Sequence, residues 1–129
     1  MAEYTDQLRI SKVASGNLDN DPQYRFLSFT AGGNKDVWLN PTTGSAVYGV
    51  LQNKPRDNDH AAVAILGSTK VVLASSLGAG IFVMAGANGF ATEAQSGQFI
   101  GGQLVTGATS GAVAEMVFSP WRAAADPNP

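Results

Sequence analysis

The sequence predicts a small all-β domain, a Gly-rich β-barrel or sandwich of about eight or nine short strands behind an extended N-terminal arm. Three observations carry this prediction. Between His60 and Trp121 only Lys70, Glu93 and Glu115 are formally charged. In the same stretch short apolar runs (AAVAIL, KVVLA, GIFVMA, QFIGGQLV, AVAEMVF) alternate with clusters of small residues (GST, SSLGAG, GANG, QSGQ, TGATSG). Such runs, broken by turn signals about every eight to twelve residues, are the pattern of antiparallel barrels and sandwiches. Finally, no segment supports a long helix. The alanines near Ala91–Gln95 allow one turn at most, because Gly89 and Gly97 bracket them.

Taken in order, residues 1–22 read as the arm. They mix charges of both signs with Ser, Asn and Asp, and their apolar residues Leu8, Ile10 and Val13 are sparse. Leu8 and Ile10 alternate with Arg9 and Ser11, so a short strand forms there once something covers it. The segment YRFLSFT (24–30) is the first firm strand, with Tyr24, Phe26 and Ser28 on one side and Arg25, Leu27 and Phe29 on the other. AGGN (31–34) reads as a turn, KDVWLN (35–40) as a second strand and VYGVLQ (47–52) as a third, followed by the polar loop 53–59. The five apolar runs supply the remaining strands. Residues 113–118 alternate cleanly, placing Ala114, Met116 and Phe118 on one face, and Pro120 is expected to stop that strand. The resulting division is an arm (1–22), a β domain (23–120) and a tail (121–129). Its core should come from Phe26, Val50, Val63, Ile65, Val72, Val83, Ile100, Leu104, Met116 and Phe118.

Composition narrows the function. The chain has 129 residues, 14% charged residues, a net charge of −2 and no cysteine. One domain of this length holds a modest core without disulfides or metal. The eight Lys and Arg are scattered singly, which argues against nucleic acid as a partner. The polar amino terminus shows no secretory signal, and no apolar run reaches the roughly 20 residues of a membrane span. So much uncharged surface on a small domain points to contact with other protein.

Catalytic and metal motifs fail on spacing. Gly78-Ala-Gly80 with Gly86 and Gly89 leads into the β run IFVMA, not the long helix a dinucleotide fingerprint opens. In GATSG (107–111) Ser110 is one position off the nucleophile elbow, with only His60 to serve it. Asn17, Asp19 and Asp21 begin like a calcium loop, but Pro22 and Ser28 stand where glycine and a bidentate Glu are needed. Asp57-Asn58-Asp59-His60 is a similar fragment. No catalytic residue, cofactor or metal is therefore expected, and the chain is read as a non-enzyme.

A resemblance enters over residues 47–118. There the order of elements is similar to that of the small capsid decoration (cement) proteins of tailed bacteriophages. A G-V-L-Q-x-x-P turn (Gly49 to Pro55) leads to an Ala/Val strand ending at Gly67, and a Gly-rich turn (Gly78, Gly80) precedes an apolar strand. Then G-x-A-T-x-A (Gly89 to Ala94) precedes S-G-x-x-x-G (Ser96 to Gly101), with a Ser-Gly hairpin at Ser110 and Gly111. The chain departs from similar sequences at Ile81 and Ala112, where an acidic residue often stands. The resemblance implies a β-barrel-like virion subunit on the outer capsid surface, made in the host cytoplasm, that bridges neighbouring major capsid proteins. Its partners would be the major capsid protein and itself, as a homotrimer or alternatively a dimer, with no nucleic acid and no membrane. Another phage structural subunit (tail-tube, head-completion or fibre-base) and a carbohydrate-binding adhesion module stay open as alternatives. Interfaces favour Trp, Tyr and Arg, so Tyr4, Arg9, Tyr24, Arg25, Trp38, Trp121 and Arg122 are candidate contact residues. Leu8 and Ile10 join them because, with no hairpin partner nearby, they would add a strand to a neighbour's sheet edge. Trp38 and Trp121 would equally serve as plugs at the two barrel ends.

Overall fold

A computed structural model describes residues 7–19, 23–29, 37–39, 43–44, 46–95 and 97–122, with Phe29 and residues 120–122 described by backbone alone. Among these residues there are nine strands: β1 (Gln7–Val13), β2 (Phe26–Phe29), β3 (Val37–Leu39), β4 (Gly49–Leu51), β5 (His60–Val72), β6 (Phe82–Ala85), β7 (Ala91–Glu93), β8 (Phe99–Leu104) and β9 (Val113–Arg122). They form one antiparallel sheet in the order β3-β2-β4-β5-β9-β8-β6-β7, and β1 also pairs with β5. The all-β, barrel-like class expected from the apolar runs is the one observed.

The 13-residue β5 is the spine. β1 pairs with it from His60 to Gly67, and β9 from Gly67 to Val72. From β5 the sheet curls in two directions. One arc runs through β4, β2 and β3, and comes back to the end of β1 by a parallel bridge between Ala14 and Val37. The other runs through β9, β8, β6 and β7, and returns just past β5 by a bridge between Leu73 and Ala91. Bonds from Ser15 N–H to Val37 O (2.9 Å) and from Ala74 N–H to Ala91 O (2.7 Å) secure these closures. Curling back on β5 removes most of the open sheet edge that a small β protein would otherwise present.

The buried side chains form two main clusters and a smaller third one of Met84, Ala94 and Ile100. Phe26, Val50, Val71, Leu73, Val83, Leu104, Met116 and Phe118 belong to one main cluster. Ala14, Leu18, Leu27, Val37, Leu51, Ala61 and Val63 belong to the other. β2 lies between them: Phe26 and Leu27 are both fully buried, one in each core. Eight of the ten expected core residues are buried. Ile65 and Val72 are only half-buried. Val72 faces out because Thr69 and Val71 hold the inward positions of β5, and in a strand a shift of one residue exchanges the faces. Ile65 is the unpaired residue of a bulge, since Leu8 opposes Leu66 while Arg9 opposes Ala64.

Several boundaries differ from expectation. Gly67-Ser68-Thr69 is not a turn; β5 passes straight through it, with Gly67 at φ +97 taking up the local twist. Ala91–Glu93 is a strand, and the only helical turn among the described residues is a 3-10 turn at Ala87–Gly89. Pro120 does not stop β9, which runs to Arg122. It falls where β8 and β9 change register between Ile100 and Gly102, and β5 has already ended its pairing at Phe118. The missing N–H of proline therefore breaks no ladder there. Trp121 and Arg122, assigned to the tail, pair with Ile100 and Phe99. The segment read as an arm supplies β1, and Ala14 and Leu18 are fully buried. β1 lacks a hairpin partner, as its sequence implies, because its partner lies some fifty residues along the chain in β5. The AGGN turn lies outside the described residues.

Candidate functional site

Among the described residues three non-glycine residues have a positive φ, Tyr24, Asn58 and Asn88, and Tyr24 borders a cavity. Its φ of +66 is a left-handed conformation that an aromatic side chain rarely adopts. Two neighbouring strands hold it there. Tyr24 N–H donates to Leu51 O (2.7 Å) on β4, and Tyr24 O accepts from Val72 N–H (2.9 Å) on β5. Leu51 N–H also donates to Arg25 O (3.0 Å). Strain fixed this firmly is found at ligand clamps and functional sites more than elsewhere.

The half-buried Tyr24 and Arg25 side chains border two recesses. The larger, of about 410 Å3, is bounded by Gln23, Tyr24, Arg25 and Lys54 on its polar side. Val72, Phe90, Gly111 and Val113 line the rest. The smaller, of about 150 Å3, also includes Tyr24 and is lined by Arg9, Gln52 and Lys70. Arg25 Cζ stands 4.0 Å from the Phe90 ring centroid, and Lys70 Nζ 5.6 Å from the centroid of Tyr24. Cations over ring faces are attracted by the ring quadrupole. The Nε of Arg25 is buried without a hydrogen-bond partner, which costs on the order of 1–3 kcal/mol if nothing supplies an acceptor.

Neighbouring elements place each of these groups. The 3-10 turn carries Phe90 under Arg25, and it approaches β2 so closely that a Cβ on Gly89 (φ +80) would sit 2.5 Å from Phe26 O. Below the cleft Gln23 Nε2 donates to Gln52 O (2.8 Å), and Gln52 Nε2 donates to Thr69 Oγ1 (2.7 Å) and Val50 O (3.1 Å). Thr69 is fully buried, and its hydroxyl donates on to Lys70 O (3.1 Å). Arg9, Arg25, Lys54 and Lys70 thus gather four of the eight Lys and Arg of the chain around one tyrosine. Among the described residues no carboxylate lines either recess. The nearest in register is Glu115, opposite Lys70.

Of the residues singled out from sequence, Tyr24, Arg25 and Arg9 come together here. Leu8 lies on β1 opposite Leu66, and both are more than half exposed (55% and 56%), an apolar pair open to solvent. Ile10 is half-buried against the second core. Trp38 is 37% exposed and lies over Gly16, whose Cβ would be 2.6 Å from the ring. Trp121 and Arg122 sit on β9 with side chains outside the described set, and Tyr4 lies outside the described residues. Lys54, Lys70 and Phe90 carried no sequence signal; they are far apart in the chain, and only the fold joins them.

The rejected motifs have structural roles. Ser110 Oγ donates to Ala74 O (2.9 Å) in its turn, while His60, at the far end of β5, is hydrogen-bonded through Nδ1 to Ser11 Oγ (3.2 Å). The two calcium-like fragments meet: Asp57 N–H donates to Asn17 Oδ1 (3.0 Å), and Arg56 pairs with Asp19 at 3.3 Å. Among the described residues no three His, Cys, Asp or Glu side chains are grouped to hold a metal.

Against known proteins, no family model matches this sequence and no curated protein does. Solved structures do. The head fiber gp8.5 N base of bacteriophage phi29 superimposes with a TM-score of 0.69, covering 88% of this chain and 95% of that one at 19% identity. The fold resembles that of a phage head-fibre base. The likeness takes in nearly the whole neighbouring chain, so it extends across most of the fold and is not a shared hairpin.

Proposed function

We propose that the chain is a structural protein of a phage virion, seated on the outer surface of the head. The observation that carries this is the full-length fold likeness to a phage head-fibre base. Two further features support it. The motif order over residues 47–118 is similar to that of capsid decoration proteins, and the sheet carries exposed apolar side chains: Leu8, Leu66, Val113 and Val117. Such side chains suit contact with a shell and with copies of the same chain.

Within this reading the chain acts as a decoration subunit or as the base of a fibre, bridging neighbouring major capsid proteins. A homotrimer at local threefold positions is the favoured assembly, with a dimer at twofolds as the alternative. No catalytic step is assigned. Co-sedimentation of the purified full chain with empty heads of the phage that encodes it tests the proposal. Saturable binding at tens to hundreds of copies per head is the expected result. Absence of binding to heads, together with binding to tails or to isolated glycans, would overturn it.

A further inference from the structure

We propose that the cleft around Tyr24 is a docking site for an acidic, partly apolar peptide segment of a partner protein. Charge complementarity selects the occupant. Arg25 and Lys54 in the larger recess, and Arg9 and Lys70 in the smaller, form a concentration of positive charge on a chain whose net charge is −2. Glu115 offsets Lys70 from the neighbouring strand, which leaves the excess at the Arg25 and Lys54 side. The Arg25 guanidinium borders the larger recess, stacked over Phe90 at 4.0 Å. A carboxylate meets a guanidinium with paired, charge-assisted hydrogen bonds.

The shape of the cleft selects a peptide over a simple anion. Val72, Phe90 and Val113 make one wall of the larger recess apolar. Inorganic phosphate or a phosphodiester backbone would leave that wall facing water. An extended segment crossing Tyr24 fills both recesses, because alternate side chains of a strand point the same way: carboxylates reach the cations while an apolar side chain covers the wall. Tyr24, its left-handed backbone clamped by two neighbouring strands, lines both recesses. The cleft's chemistry stands on its own geometry; that the segment belongs to the shell protein rests on the head-surface reading.

The test uses the full chain labelled with 15N. It is titrated with the peptide acetyl-Glu-Gly-Val-Gly-Glu-amide, whose Glu and Val side chains share one face when extended, with its Gln counterpart, and with inorganic phosphate. Saturable shifts of the Arg25 Nε–H and of the Tyr24 and Gly111 amides are expected with the Glu peptide, at least tenfold weaker with the other two. Lys54→Gln, at an exposed loop position, should weaken the Glu peptide at least threefold while leaving the melting temperature unchanged. Equal affinity for the Gln peptide, equal affinity for phosphate, or no saturable shift at these groups overturns the proposal. In parallel, a Lys54→Gln/Lys70→Gln chain should bind heads at least tenfold more weakly than the unmodified chain. Undiminished binding of that variant removes the cleft from the shell interface and leaves the head-surface reading intact. If the unmodified chain binds the Glu peptide but no head, the head-surface reading fails and the cleft stands.

Discussion

Phe26 and Leu27 are consecutive on β2, and each is fully buried in a different core. An ordinary half-buried strand would bury only one of two neighbours. Replacing each with Ala therefore tests the two-arc architecture directly. Leu27→Ala removes three carbons, at roughly 0.8 kcal/mol each or about 2.4 kcal/mol in transfer free energy. The space left among Ala14, Leu18, Val37 and Val63 closes only partly, raising the cost to about 3–4 kcal/mol. Phe26→Ala also loses the tilted contact with Phe118, whose ring centroid is 6.3 Å away, and should cost about 3–5 kcal/mol. Urea denaturation of the two variants measures both values, and each should also lower the melting temperature by roughly 10 °C or more. A cost below about 1 kcal/mol for either one, with the other large, would mean that β2 faces a single core and that the reasoning is wrong.

At Tyr24 the φ of +66 reverses the usual ranking of Gly and Ala. Tyr24→Gly should be about 1 kcal/mol more stable than Tyr24→Ala by chemical denaturation, and the opposite order would show an ordinary backbone there. Gly89→Ala places a Cβ against Phe26 O at φ +80 and should cost about 2–4 kcal/mol, while a neutral result would mean the 3-10 turn does not press on β2. Deleting residues 1–13 strips β1 from β5 between His60 and Gly67 and should cost roughly 3 kcal/mol or more, from lost ladder bonds alone. An unchanged melting temperature would return that segment to the role of a passive arm.

What could be read from the sequence depended on whether the signal was local. β9 is legible because Ala114, Met116 and Phe118 alternate with exposed Val113 and Val117, a period that a single buried face dictates. β5 was split in two because Gly67-Ser68-Thr69 has turn chemistry. The β1 and β9 pairings that carry the strand through it are non-local. Pro120 misled for a similar reason: its effect depends on whether a neighbour needs its N–H, and at a register shift none does. β1 could be recognised as a strand but not placed, since nothing in LRIS names His60–Gly67 as its partner. For the cleft, Tyr24 and Arg25 were legible as interface residue types. Arg9 was legible only as part of the arm. Lys54, Lys70 and Phe90 join them only through the curl of the sheet, which no spacing of single cations records.

The central claim is that this two-arc β protein sits on the outside of a phage head. A cryo-EM reconstruction of the virion, at a resolution that traces strands, tests it most directly. The account predicts density for the curled nine-stranded sheet on the outer shell surface, repeated at symmetry-related positions, with the Tyr24 cleft against an acidic segment of the shell protein. Finding the chain only in the tail, or absent from the particle, would contradict it.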